Sequence, residues 1–338
     1  MQQIPLHRVA VVLPFTNFLR DVGAPVESAF RRAGLPFGAL EDVNNYVVST
    51  GFWSFLVDMV RTQGIEDLGF RVGRESGVDS ADPRLSNVLR SSPTLHHGIS
   101  RICDVVNKTV CNSPMGLAPS SNPAHTLFFH RPSCGGSEPP ADQIGWYGVM
   151  TLIDTVRVFT GPTWAPSEIG LMTRRPPFRS VREEFPDTRF RLSQPYSYIS
   201  LEQQLLGLPP LPRVPATGGS SRLAFAPYVD DFAGALELML GPYVEERGLS
   251  VDHAAELAGT SKRTLQRKLE ESGTCYSELL DRARYHAAST MLQDPDITVN
   301  EIALRLGYTD SANFSRAFRR IAGISPSAHR RSYAVSDS

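Results

Sequence analysis

Phe52, Phe55, Leu56, Met59 and Val60 fall at i, i+3, i+4, i+7 and i+8, the stripe of a helix with one buried face. A second helix is predicted from Ser92-Pro93, with the serine as cap and the proline in the first turn, burying Leu95, Ile99, Ile102 and Val106. A third runs from Gln143 to Phe159. Strand patterns cover 125–130, 168–173, 188–192 and 196–201. The first two-thirds of the chain therefore reads as mixed α and β. From Gly207 to Ser221 the periodicity stops, and Pro209, Pro210, Pro212, Pro215, Gly218 and Gly219 mark a linker. Asp230-Asp231 then opens a helix through Phe232, Ala235, Leu236 and Met239, with its acidic residues at the end the helix dipole prefers.

The remainder repeats itself. Ala255 answers Ala303, Gly259 answers Gly307, Leu265 answers Phe314, Arg267 answers Arg316, Leu269 answers Phe318 and Gly273 answers Gly323, the offset drifting only from 48 to 50. Each copy reads as a short helix carrying a small residue, a turn at glycine, and a second helix with apolar residues four apart. The apolar pair holds that helix down and leaves its polar residues facing out. Such a helix fits the major groove of DNA, where outward side chains reach base edges. Ser261 and Ser311 stand as caps or first residues of the two candidate reading helices, where free backbone N–H groups can meet phosphate. Between the copies a helix is predicted from about Cys275 to Gln293, burying Leu279, Leu280, Ala283, Ala287 and Met291. At about 1.5 Å per residue it spans on the order of 28 Å. One DNA turn is roughly 34 Å, so this rod can set the two reading helices in successive major grooves.

Over about residues 230 to 333 the sequence resembles the DNA-binding domain of the AraC/XylS family of bacterial transcription regulators. The resemblance rests on Glu301-Ile-Ala-Leu-Arg-Leu-Gly-Tyr308, Asn313-Phe-Ser-Arg-Ala-Phe-Arg-Arg320, Gly323-Ile-Ser-Pro-Ser-Ala-His-Arg330 and, upstream, Ser261-Lys-Arg-Thr-Leu-Gln-Arg-Lys-Leu269. It implies base reading by Arg263, Gln266 and Arg267 from the first helix and by Ser311, Ala312, Ser315 and Arg316 from the second. It adds Ser261, Thr264 and Asn313 to the contact surface and gives Arg319 and Arg320 to backbone phosphates. Ala312 offers only an apolar contact, such as to a thymine methyl. The halves are unequal, so an asymmetric site is expected.

The N-terminal part resembles the ligand-binding or dimerisation domain of the family branch that includes ornithine-utilisation and mycobacterial virulence regulators. The matching pieces are Glu66-Asp-Leu-Gly-Phe-Arg-Val-Gly73, Ser91-Ser-Pro-Thr-Leu95, Phe185 to Phe190, and Leu205-Leu-Gly-Leu-Pro-Pro-Leu-Pro212. The resemblance implies a small-molecule effector, a homodimer and contacts with RNA polymerase, as in an activator. Trp146, Tyr147, Tyr196 and Tyr198 are candidates to line an effector pocket, although aromatics at such positions are more often plain core.

Composition narrows the alternatives. A chain of 338 residues with 41% hydrophobic and 20% charged content suits two globular domains. From Pro242 to Ser338 there are 13 Lys and Arg against 13 Asp and Glu, so any footprint for DNA is local: Lys262, Arg263, Arg267 and Lys268 in one reading helix, Arg316, Arg319 and Arg320 in the other. Helix-turn-helix shapes also serve as plain packing units, and the family signature is what weighs against that reading. Cys103, Cys111, Cys134 and Cys275 lack metal-site spacing, which leaves no match to the zinc-bound cysteines of DNA-repair alkyltransferases. His96-His97 lacks HExxH spacing, and no GxSxG, Walker or GxGxxG pattern follows a strand. Neither catalysis, a cofactor nor a metal is expected. The apolar run Val9 to Leu13, closed by Pro14, is too short for a signal region, and no stretch approaches a membrane span, so a cytoplasmic protein is expected. The expected organisation is an α+β effector or dimerisation domain at 1–206, a linker at 207–229, and an all-α double helix-turn-helix domain at 230–333. Rival readings are an enzyme with a DNA-binding appendage and a ligand-free regulator controlled by a partner.

Overall fold

The computed structural model describes residues 4–81, 83–109, 114–131, 139–212, 231–245 and 249–336. Packing divides the chain into two compact units, one of His7–Ala33 with Ser49–Tyr228, the other of Met1–Leu6, Gly34–Val48 and Val229–Ser338. Leu6–Arg8 (β1) and Tyr46–Val48 (β2) form a two-stranded sheet.

The larger unit begins with helices Val9–Asp21 (α1), Val26–Arg32 (α2), Ser49–Gln63 (α3), Leu68–Ala81 (α4), Pro83–Arg90 (α5) and Leu95–Thr109 (α6). Strands Met115–Pro119 (β3) and His125–His130 (β4) follow, then the long helix Pro139–Thr160 (α7). Glu168–Gly170 (β5), Arg179–Glu184 (α8), Arg189–Arg191 (β6) and Ser197–Glu202 (β7) complete it. The five-stranded sheet has the order β3-β4-β7-β5-β6 and is antiparallel except where β5 meets β6.

Register assigns the two sheet faces. Phe128 lies opposite Ile199 and Phe129 opposite Tyr198, and successive side chains point to opposite sides. Phe128 and Ile199 are fully buried in one core with Phe70, Ile99, Trp146, Val149 and Ile153. Phe129 and Tyr198 lie on the other face. Helix α7 lies so close to its neighbours that side chains are excluded at two kinds of crossing. A Cβ on Gly69 of α4 would stand 1.9 Å from the Gln143 carbonyl oxygen, and one on Gly148 would stand 1.7 Å from Nε2 of His130 in β4.

The mixed α and β character is as the sequence predicts, and the stripe at Phe52–Val60 is α3. Three local expectations change. The helix expected from Ser92-Pro93 starts at Leu95, where the Thr94 hydroxyl accepts from the His97 amide at 3.3 Å, while the Ser92 hydroxyl donates to the Val88 carbonyl at 2.7 Å and closes α5. Strand β3 has no sequence signature, because Met-Gly-Leu-Ala-Pro lacks β-branched residues; its proline is tolerated because β3 is an edge strand. Pro14 does not end the run before it but lies inside α1.

In the smaller unit the C-terminal residues are helical: Phe232–Leu240 (α9), Val251–Leu257 (α10), Lys262–Glu271 (α11), Tyr276–Met291 (α12), Val299–Arg305 (α13), Ser311–Ala322 (α14) and Pro326–Ser336 (α15). The Asp231 carboxylate caps α9 through the Gly234 amide at 2.6 Å. The segment Gly34–Val48 is built into this unit. Val47 and Ala39 are fully buried, β2 packs on α9, and the Tyr243 hydroxyl donates to the Gly34 carbonyl at 3.1 Å. Most of the proline-rich stretch, together with Asp230, Cys111 and Cys134, lies outside the described residues.

Candidate nucleic-acid interface

Both helix-turn-helix copies are built by the same local rules. In the first, Gly259 takes φ +63° between α10 and α11, a conformation that side chains resist. The Ser261 hydroxyl then caps α11 through the Thr264 amide at 3.2 Å. In the second, Gly307 takes φ +78° between α13 and α14. Ser311 is the first residue of α14, one of the two places expected for it, and the cap is Asp310, whose carboxylate accepts from the Asn313 amide at 2.7 Å. That amide hydrogen bond, with Thr309, the Ala312 amide and Arg316 nearby, holds the Asp310 carboxyl below the usual carboxylate range. The carboxylate thus already engages the Asn313 amide, one of the N–H groups expected to be free at this helix end.

Buried Leu265 and Leu269 seat α11, and buried Phe314 and Phe318 seat α14, the latter with Tyr285 of α12 at 5.0 Å. On the outward side Arg263, Gln266 and Arg267 of α11 are exposed, as are Ala312, Arg316, Arg319 and Arg320 of α14. Thr264, Ser311, Asn313 and Ser315 are half-buried beside them. Helix α12 has 16 residues, roughly 24 Å at about 1.5 Å per residue, somewhat shorter than the expected 28 Å.

The basic residues are not equivalent. Lys268 turns toward α9, its Nζ 4.4 Å from the centre of the Phe232 ring, and Lys262 pairs with Asp252 at 3.0 Å. Arg267 pairs with Glu271, Arg316 with the Asn313 side chain, and Arg320 with Asp281 on α12. Arg263 and Arg319 have no ion pair among the described residues.

The four aromatic effector candidates fall into two separate groups. Trp146 is core, edge-on to Phe70 at 6.1 Å, and Tyr147 lies against Phe15 at 5.0 Å with its hydroxyl pKa raised by burial. Tyr196 and Tyr198 lie on the outer sheet face beside Phe129, where the Tyr198 hydroxyl donates to Glu168 at 2.8 Å. A half-open cavity of about 440 Å³ in the larger unit is lined by other residues: Val57, Val60, Arg61, Glu66, Gln143, Arg175, Pro176 and Phe178. Its floor is fixed by the Gln143 amide, which accepts from the Gly69 N–H at 2.7 Å and donates to the Glu66 carbonyl at 2.8 Å. Both arginines are committed to carboxylates, Arg61 to Asp58 and Arg175 to Asp142, each at 3.3 Å. Cys103 is buried with its thiol pushed up to about 12, while Cys275 is exposed.

Residues 254–332 match a family described as a helix-turn-helix domain, and residues 23–210, more than half of the chain, match the arabinose-binding domain of AraC transcription regulators. The chain belongs to the AraC family. Over 322 residues, 94% of each chain, it is 22% identical to the transcriptional regulator VirS of Mycobacterium tuberculosis. It is 42% identical to the ornithine utilization regulator of Pseudomonas aeruginosa over 80 residues, 24% of each chain. With an uncharacterized regulator of M. tuberculosis the identity is 44% over 69 residues, so this match spans 20% of the relative's length. Among solved structures, the transcriptional regulator CdpR of P. aeruginosa aligns over 94% of this chain and 96% of its own at 19% identity with a TM-score of 0.38.

These relatives are transcription regulators rather than enzymes. The AraC-family signature led directly to α11 and α14, the candidate reading helices. It did not reveal Asp310, although aspartate at the residue before a helical run is itself an N-terminal signal. The cavity had no signal either, since its lining is assembled from α3, α7 and the two loops at 64–67 and 171–178. No helix among the described residues is long and apolar enough to cross a membrane.

Proposed function

We propose that this AraC-family chain reads a promoter site in double-stranded DNA with α11 and α14 in successive major grooves. Ser261, Arg263, Thr264, Gln266 and Arg267 form one half of the contact surface; Ser311, Ala312, Asn313, Ser315, Arg316, Arg319 and Arg320 form the other. The observation that carries this reading is that two outward polar faces, each on a helix seated by a buried apolar pair, belong to two helix-turn-helix copies joined in the chain by one 16-residue helix. The working unit is a cytoplasmic homodimer that activates transcription through RNA polymerase. The N-terminal domain, residues 1–206, binds a small effector and makes the dimer; residues 207–229 link it to the DNA-binding domain at 230–333.

Two features support effector control. The cavity has the size of a small-molecule pocket. Helix α3, which lends it Val57, Val60 and Arg61, follows β2 without an intervening residue, and β2 packs on α9 beside the first helix-turn-helix. An effector works through such a connection only by binding two arrangements with different affinity.

Selection of the full chain against random duplexes tests the DNA reading; recovery of no preferred sequence overturns it. Arg267→Ala and Arg316→Ala are each expected to cost roughly 1 to 3 kcal/mol on the selected site and to relax preference at one base pair. Arg319→Ala should weaken all duplexes alike and lower the slope of log affinity against log salt by about one. A change of preference in Arg319→Ala would reassign that residue to base reading. Thermal stability measured against a metabolite panel tests the effector. Concentration-dependent dimerisation with no ligand shift would favour the partner-controlled alternative.

A further inference from the structure

The two reading helices place their residues in one register. Ser261, Thr264 and Arg267 stand at the cap, third and sixth positions of α11, and Asp310, Asn313 and Arg316 stand at the same positions of α14. Residues three apart on a helix are neighbours, so each set forms a short column along the exposed side. The columns are wired in opposite directions. In α11 the cap and third residue satisfy each other as neutral hydroxyls, Ser261 and Thr264 lying 2.9 Å apart, and Arg267 reaches forward to Glu271. In α14 the Asp310 carboxylate takes both nitrogens of Asn313, the amide at 2.7 Å and Nδ2 at 2.7 Å. Thr309 Oγ1 accepts from the same Nδ2 at 3.1 Å. With its nitrogen held this way, Asn313 turns its Oδ1 toward the helix, and the Arg316 guanidinium donates to it. The position matching Glu271 is Arg320, which is engaged by Asp281, so no carboxylate draws Arg316 forward.

We propose that Asp310 is a positioning residue for Arg316: acting through Asn313, it draws the guanidinium toward the N-terminal end of α14, whereas the matching Arg267 is held toward the C-terminal end of α11. The inference rests on the reading of α14 as a DNA-reading helix. Its consequence is that the two arginines meet base pairs at different places relative to their helices, so the half-sites differ in spacing as well as in sequence. Asp310 also places a negative charge where phosphate would approach, which lowers general affinity while it fixes the fork of Arg316 for bidentate contact.

The test uses the full chain and the sites selected from random duplexes. Asp310→Ser installs the cap that α11 already uses, and Asp310→Asn keeps the cap acceptor and the shape but removes the charge and the second acceptor for Asn313. Both are expected to keep the melting temperature of the parent, because these residues are near-equal as caps. At the base pair whose preference depends on Arg316, both should lower discrimination roughly tenfold, the scale of one bidentate contact. Affinity for unrelated duplex should rise at low salt. In an Arg316→Ala background the same substitutions should leave base preference unchanged, since there is then no guanidinium to place. Unchanged discrimination in the single variants, or an equal loss with and without Arg316, overturns the positioning role while leaving α14 as a reading helix. If Arg316→Ala alters no base preference, the reading of Arg316 fails and the proposal with it.

Discussion

Alanine at Gly69 is expected to destabilise the sheet-bearing unit by at least about 3 kcal/mol, the upper range for overpacking a core. The added methyl would stand 1.9 Å from the Gln143 carbonyl oxygen and 2.7 Å from the Gln143 Cα, and these are backbone atoms of a helix, which cannot swing aside. Separating α4 from α7 to make room also breaks the bond from the Gly69 N–H to Gln143 Oε1, now 2.7 Å and buried, leaving polar groups without partners. For a unit of this size the melting temperature should fall by roughly 6 to 12 °C. Gly207→Ala provides the control, because a Cβ there meets nothing within 4 Å. Equal melting temperatures for the two variants would mean that α4 and α7 do not cross this closely. The Gln143 side chain that binds Gly69 also lines the cavity, so the same substitution should weaken any ligand held there.

Acid should destabilise the same unit, with an effect of similar size. His7 and His130 are buried, and burial pushes each down to about 4 from the ordinary 6.5. Among the described residues His7 Nε2 and His130 Nδ1 have no hydrogen-bond partner, so a proton there is not stabilised by an acceptor. Because the folded value lies below the unfolded one, the unfolded chain takes up protons first. Stability is therefore intact above pH 6.5 and falls as pH drops toward 4, by about 2 kcal/mol per histidine at pH 5 and about 3 at completion. Urea unfolding at pH 7.5 and pH 5.0 measures this directly, and at pH 5.0 most carboxylates are still ionised and contribute little. In His7→Gln and His130→Gln the difference between the two pH values should shrink by one histidine's share each. A difference that both variants leave untouched would place the acid sensitivity elsewhere.

Much of the architecture was legible in the chain because it is locally encoded. The stripe at Phe52–Val60, the apolar run of α7 and the doubled pattern around Gly259 and Gly307 each repeat with the period of the element they form, and Ser261 announces α11 by the chemistry of its hydroxyl. Strand β3 was not legible because its residues have no strand preference; pairing with β4 makes it a strand. Tyr198 and Trp146 look alike as candidates for a pocket. One lies on each side of the sheet, a distinction that depends on register, and register depends on which strands meet.

Local periodicity, caps and the family signature were enough to predict the two helix-turn-helix copies, the helix between them and a mixed α and β domain before them, since each depends on residues within a few turns of one another. The pairing of Arg320 with Asp281, the turning of Lys268 onto Phe232, the embedding of Gly34–Val48 against α9 and the cavity beside α3 depend on groups brought together from distant parts of the chain. Such contacts follow from how the packed elements share space, and a one-dimensional pattern carries no record of that.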